Sequence, residues 1–211
     1  MKFQAMYEQK DPAQLSALGA RARMALLLLR DAEGRPLSGW TNAAPAGPGF
    51  IVHLAADDPQ AGPLRAESRA TLVFSEILST IPSYWVDAED GSRATNLHLH
   101  AEYDCAIQVL DEKAAATGAL AELMKSFQAE GGHRPIHTEE ALYAPKIKAL
   151  CVAYLSVQTL RTKWKVGQIW PLPKRLEIVQ KLKERGRPED LRSVVEMEAW
   201  MASHPPGAPA Q

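Results

Sequence analysis

Cysteine is scarce: Cys105 and Cys151 are the only two in 211 residues, and they stand far apart in apolar runs. That is too sparse for a disulfide scaffold and lacks zinc-site spacing, so buried free thiols are expected. Excess charge is also missing. The 24 Lys and Arg balance 25 Asp and Glu, which gives no bulk attraction to nucleic acid or an anionic membrane. No apolar run reaches the ~20 residues of a membrane span, and the opening MKFQAMYEQKDPAQL has no apolar signal core. A cytoplasmic protein with no membrane partner is expected. The absence of a Gly-x-Ser-x-Gly elbow, a Walker loop, a dinucleotide Gly-rich turn and His-Glu-x-x-His removes support for nucleophilic or zinc hydrolysis. No metal site is expected.

What is present is enough apolar residue, 46% of the chain, to bury one substantial core. A single domain over residues 1–203 and a disordered Pro, Gly and Ala tail over 204–211 are expected. Asp11-Pro12 is a helix-start pair. Arg23 to Arg30 reads as a strand buried on both faces, Leu37 to Thr41 as its antiparallel partner, and Asn42 to Pro48 as a loop. Strands follow over Gly49 to Leu54, Arg69 to Ile77 and Arg93 to Leu110, with a short helix after Asp57-Asp58-Pro59 and a loop or strand start at Ser83 to Val86. The spacing of Ala115, Leu120, Leu123, Met124 and Phe127 predicts a helix from Asp111, its cap, to Ala129. Thr138 opens a short helix, Ile147 to Leu160 is a strand, and Gly186 separates two final helices, Arg175 to Arg185 and Pro188 to Met201. Antiparallel strands with helices inserted and appended point to an α+β barrel.

The richest stretch is Thr159 to Pro173, TLRTKWKVGQIWPLP. Alternation on a strand puts Lys163 and Lys165 on one side and Trp164 on the other, an arrangement open to two readings, a phosphate clamp or a solvated strand edge. His98, His100 and Glu102 also alternate, as a haem or metal ligand set or as an exposed strand face. His133 and His137 are spaced for a helix face, but Gly131, Gly132 and Pro135 oppose a helix there. Nine Lys or Arg between Arg161 and Arg187 face two acids, Glu177 and Glu184, which suits DNA phosphates or an ordinary amphipathic helix.

In order, Met6-Tyr7, Asp11-Pro12, His53-Leu54-Ala55 with Pro59-Gln60, Phe74 with Trp85, Thr95, and Lys163-Trp164-Lys165-Val166-Gly167-Gln168 resemble the blocks of the FMN-binding negative transcriptional regulators of the PaiB type. That family shares the split β-barrel of the pyridoxamine 5′-phosphate oxidases. Departures are local. Ala56 stands where the family carries Arg and is followed by Asp57 and Asp58, Pro82-Ser83-Tyr84-Trp85-Val86 replaces Ser-Pro-Ser-Trp-Tyr, Asn96-Leu97-His98 follows Thr95, and Gly167 and Ile169 flank Gln168 in place of Ser and Asn.

The resemblance implies an antiparallel split β-barrel with inserted helices and two C-terminal helices, acting as a homodimer. It also implies FMN held through His53, Ser83, Trp85, Thr95, Lys163, Lys165 and Gln168. A regulatory role with DNA as partner follows from the family. A flavin-dependent oxidoreductase and a haem-binding or cofactor-free dimer remain as alternatives.

Overall fold

A computed structural model describes residues 5–22 and 24–204. Apart from His204, the expected disordered tail lies outside these residues. The helix after Asp11 forms as α1, Pro12–Ala22, with Asp11 Oδ1 accepting from Ala13 N at 2.9 Å. Strand β1, Ala25–Arg30, pairs antiparallel with β2, Pro36–Thr41. It is not buried on both faces: Ala25, Leu27 and Leu29 are buried, while Leu26 and Leu28 are half-exposed. Four consecutive leucines hide that period of two in the sequence.

The expected loop over 42–48 contains a strand. β3, Ala43–Ala46, pairs with β4, Gly49–Ala55, with Pro45 opposite Phe50. It stands last in its sheet, where a proline costs no ladder bond on the outer side, and Ala and Pro content concealed it. Helix α2, Ala61–Ala66, leads to β5, Arg69–Ile81, which runs four residues beyond the expected end. Ser83–Val86 is the short helix α3 rather than a loop or strand start. β6 spans Thr95–Val109 and α4 spans Lys113–Phe127.

The N-cap position of α4 is Glu112 rather than Asp111, with no side-chain capping bond, and the buried stripe is Ala116, Ala119, Leu120 and Leu123, so Ala115 and Phe127 of the expected stripe remain exposed. Turns occupy the segment after Thr138, and the helix there is the later α5, Ala144–Lys148. β7 covers Leu150–Lys165, and α6, Leu172–Arg185, and α7, Pro188–Ser203, close the chain. Gly186 takes the left-handed φ of 69° that ends α6.

The strands hydrogen-bond in the order β2-β1-β5-β6-β7-β4-β3. Its two ends, β2 and β3, are separated in the chain by Asn42 alone, and Thr41 Oγ1 of β2 donates to the His53 carbonyl of β4 at 3.1 Å. That contact brings the end of β2 against β4 within the unit that holds them both.

Two compact units are distinguished. One holds Gly19–Phe74 and Ala101–Arg161, the other the residues up to Leu18, Ser75–His100 and those from Thr162 onward. In the first, the α4 stripe packs on Ala44, Ile51, Val152 and Ile147, and Phe50, Phe74 and Tyr103 meet with ring centroids 5.0–5.9 Å apart. Removing the buried Leu123 side chain from this core should cost about 2–5 kcal/mol. In the second, Ile178, Val179 and Leu182 of α6 and Val194 and Met197 of α7 are buried.

Candidate functional site

The end of β7 delivers Lys163 and Lys165 to one face while Trp164, on the other, is buried. Lys165 Nζ donates to Thr95 Oγ1 at the start of β6. Lys163 Nζ lies 5.6 Å from the centre of the Tyr7 ring. Tyr7 is held there because Thr162 Oγ1 accepts from Gln9 N at 2.7 Å and donates to the Gln9 carbonyl at 3.0 Å. Both lysines are half-buried. Burial, and then the neighbouring Lys163, lower the Lys165 pKa.

His98, three residues along β6 from Thr95, is near enough for the charge of both lysines to act on it. Its pKa is lowered first by burial and further by Lys163, Lys165 and His100, against a hydrogen bond to the Asn96 backbone that raises it. The imidazole is therefore held toward its neutral form beside two cations.

The charge around this cluster is unevenly settled. Of the basic residues from Arg161 to Arg187, Arg161 pairs with Glu102, Lys174 and Lys181 with Glu177, Lys183 with Glu198, and Arg185 with Asp190. Arg175 faces the Trp200 ring at 4.7 Å and donates from Nε to the Trp170 carbonyl at 2.7 Å. Lys163 and Lys165 make no ion pair among the described residues. Two un-neutralised cations two residues apart repel, so an anion bound between them relieves that repulsion.

Gln168 sits within the turn that follows. Its Oε1 accepts from Val166 N at 2.9 Å, and its Nε2 donates to the Trp164 carbonyl. The side chain thus shapes the strand end with both ends of its amide. Gly167, in that turn, has φ 87°, and a Cβ there would lie 2.7 Å from the Trp170 ring. A serine at this position would meet both backbone strain and a clash.

Ser83 and Trp85 are placed on α3. The Trp85 ring is faced by the Arg185 guanidinium at 4.7 Å and by Lys181 Nζ at 5.9 Å, and its carbonyl accepts from Lys174 Nζ at 3.2 Å. All three partners come from α6. His53 belongs to the other unit, on β4 opposite Val152. Burial lowers its pKa, and its Nδ1 is buried without a hydrogen-bond partner among the described residues.

The Ala56-Asp57-Asp58 departure has a local basis. Ala56 and Asp57 are exposed, while Asp58 Oδ1 accepts from Gln60 N at 2.8 Å ahead of α2. Gln60 is buried and donates from Nε2 to the Leu27 carbonyl at 3.1 Å. Its amide fills the space that a side chain at Gly39 would need, with Oε1 only 2.1 Å from where a Cβ would stand.

Sequence spacing brought out the lysine pair and the family resemblance brought out Thr95, but neither joined Tyr7 or His98 to them. For Tyr7 the only signal was its place in the Met6-Tyr7 block, because the Gln9–Thr162 contact spans 153 residues. Among the described residues, no group of three or more His, Cys, Asp or Glu is placed to hold a metal ion, and no helix is long and apolar enough to cross a membrane.

No protein-family model and no curated protein matches the chain. Solved structures do. The FAD and haem binding protein from Mycobacterium smegmatis aligns over 80% of this chain and 78% of its own with 14% identity and a TM-score of 0.63. The flavocytochrome Anf3 from Azotobacter vinelandii aligns over 80% and 74% with 15% identity and a TM-score of 0.62. HutZ, a haem storage protein from Vibrio cholerae, aligns over 74% and 96% with 12% identity and a TM-score of 0.50. These likenesses establish the fold as the α+β antiparallel split β-barrel with inserted helices and two C-terminal helices.

Proposed function

We propose that this chain is a flavin-binding split-barrel protein that takes FMN, with the flavin phosphate at Lys163, Lys165 and Thr95. The observation that carries this reading is the half-buried lysine pair with no carboxylate partner among the described residues, with the Thr95 hydroxyl in hydrogen-bond contact with Lys165. Those groups fit a phosphate: two cations and a hydroxyl donor on one face supply charge-assisted hydrogen bonds to its oxygens. A bound flavin supplies electron and hydride transfer, while the protein binds and orients it. That an FAD and haem binding protein and a flavocytochrome share this fold favours a flavin over other phosphate ligands. As in the family the sequence resembles, the working form is a homodimer.

The PaiB-like regulatory role is the weaker part of this reading. A DNA face would draw on the cations of α6, and Lys174, Lys181, Lys183 and Arg185 are already matched by carboxylates. A haem is the second reading, favoured by His98. Held toward its neutral form, that imidazole is the form that ligates iron, and the lysine pair beside it suits propionates.

Titration of the purified protein with FMN, riboflavin and haemin, followed by flavin fluorescence and visible absorption, tests both readings. Tight binding of FMN with much weaker binding of riboflavin supports the phosphate site. Equal binding of the two flavins removes the lysine pair from the site, and a Soret shift with haemin alone selects the second reading.

A further inference from the structure

A cavity of about 570 Å³ opens in the unit that holds β1 to β4, between the end of β6, the start of α4, α5 and the start of β7, with α2 at its rim. It shares no residue with the lysine cluster. The volume lies in the range of small-molecule pockets, ~300–1,000 Å³. Its floor is made of Val109, Ile147 and Val152 with neighbouring alanine and leucine, and its rim carries Arg65, Lys113 and Lys148 against one carboxylate, Asp111.

Two features of this lining define what it accepts. Among the described residues, no Ser, Thr, Asn, Gln, Tyr or His side chain lines it, so no side chain at the floor hydrogen-bonds a sugar or a nucleobase, and an apolar body is matched better there than a polar one. The rim cations exceed the single acid. Lys113 Nζ donates to the Thr138 carbonyl at 2.9 Å, whereas Arg65 and Lys148 make no ion pair among the described residues. Arg65 offers a planar fork matched to a carboxylate.

We propose that this cavity binds a small amphipathic carboxylate, with its hydrocarbon body on the Val109, Ile147 and Val152 floor and its carboxylate at Arg65 and Lys148. Burial of the hydrocarbon drives binding, and the rim cations select a carboxylate over a neutral head group. A hydrocarbon acid is thus a ligand separate from the flavin, with its own recognition chemistry.

The test uses the full chain, isotope-labelled for NMR, with octanoate and 1-octanol as probes. Octanoate is expected to shift the amides of Val109 to Lys113 and Ala144 to Val152, to bind at least about tenfold more tightly than 1-octanol, and to lose about tenfold in affinity in the Arg65→Ala, Lys148→Ala double variant. Both residues are exposed, so the variant should keep the parent's thermal midpoint, and that midpoint is measured alongside. The proposal is overturned if millimolar octanoate leaves those amides unmoved, if 1-octanol binds equally well, if the folded double variant binds unchanged, or if the shifts fall at Lys163 to Gln168 instead.

Discussion

Arg185 grips the wholly buried carboxylate of Asp190 through Nε at 2.7 Å and Nη2 at 2.5 Å. Ser79 Oγ donates to the same carboxylate at 2.6 Å and Arg187 N at 3.3 Å, so it accepts from four donors on β5 and around the α6–α7 junction. Arg185 Nη2 also donates to the Thr80 carbonyl at 3.1 Å. This network ties α7 to β5 at the point where Gly186 turns the chain.

These contacts, Arg185 first, hold the Asp190 pKa at about 2. The folded pKa is depressed, so the associated stability is full above the unfolded value near 3.8 and is lost as pH falls from there toward 2. The gap corresponds to roughly 2 kcal/mol at neutral pH. Asp190→Asn, which keeps the shape but removes the charge and leaves Arg185 unmatched, is expected to lower unfolding stability at pH 7 by about 3 kcal/mol. Urea melts at pH 7 and pH 3 check this, with parent and variant drawing closer at the lower pH. A gap that does not change with pH would refute the charge as its source.

Replacing both Lys163 and Lys165 with Ala is expected to weaken FMN binding about tenfold or more while leaving the fold intact, since both side chains are half-exposed and neither holds an ion pair among the described residues. Added salt should weaken the parent's affinity and affect the variant's much less. Fluorescence titration at low and high salt reads both effects, and an FMN affinity equal to the parent's would exclude the clamp.

Gly167→Ser should destabilise this chain by about 1–3 kcal/mol because the position has φ 87° and no room beside the Trp170 ring. Glycine at 167 therefore suits the packing of Trp170 against the turn. Urea melts of the variant test this, and unchanged stability would show that the turn relaxes freely.

The elements most legible in the sequence were those with a local cause. The Asp11-Pro12 start of α1, the Gly186 break between α6 and α7, and the Lys-Trp-Lys alternation at the end of β7 all announce themselves within a few residues. What stayed hidden depended on distant partners. β3 is the exception, a hairpin partner of the adjacent β4 whose Ala and Pro content hid it, while the four-leucine run of β1 alternates in burial because its faces meet different surroundings. Within the site, the lysines could be read from sequence, but not which of nine basic residues were already neutralised. Glu102, Asp190 and Glu198, which match three of them, are set against those partners by the fold.

His98 offers a reporter for the ligand at this cluster. Without ligand its pKa lies below the ordinary imidazole value because of burial and the adjacent lysines, so the folded chain binds fewer protons there than the unfolded chain. Stability from this group is present above the unfolded pKa near 6.5 and is lost as pH falls through the lower folded value. A phosphate bound between Lys163 and Lys165 brings negative charge beside the ring and offsets the repulsion, so the His98 pKa should rise when FMN binds. Riboflavin, which has the same ring system without the phosphate, should leave it low. NMR titration of the His98 imidazole, assigned by loss of its signal in His98→Gln, distinguishes these cases. An equal rise with both flavins would place the ring system rather than the phosphate near His98, and no rise with saturating FMN would separate the lysine cluster from the flavin altogether.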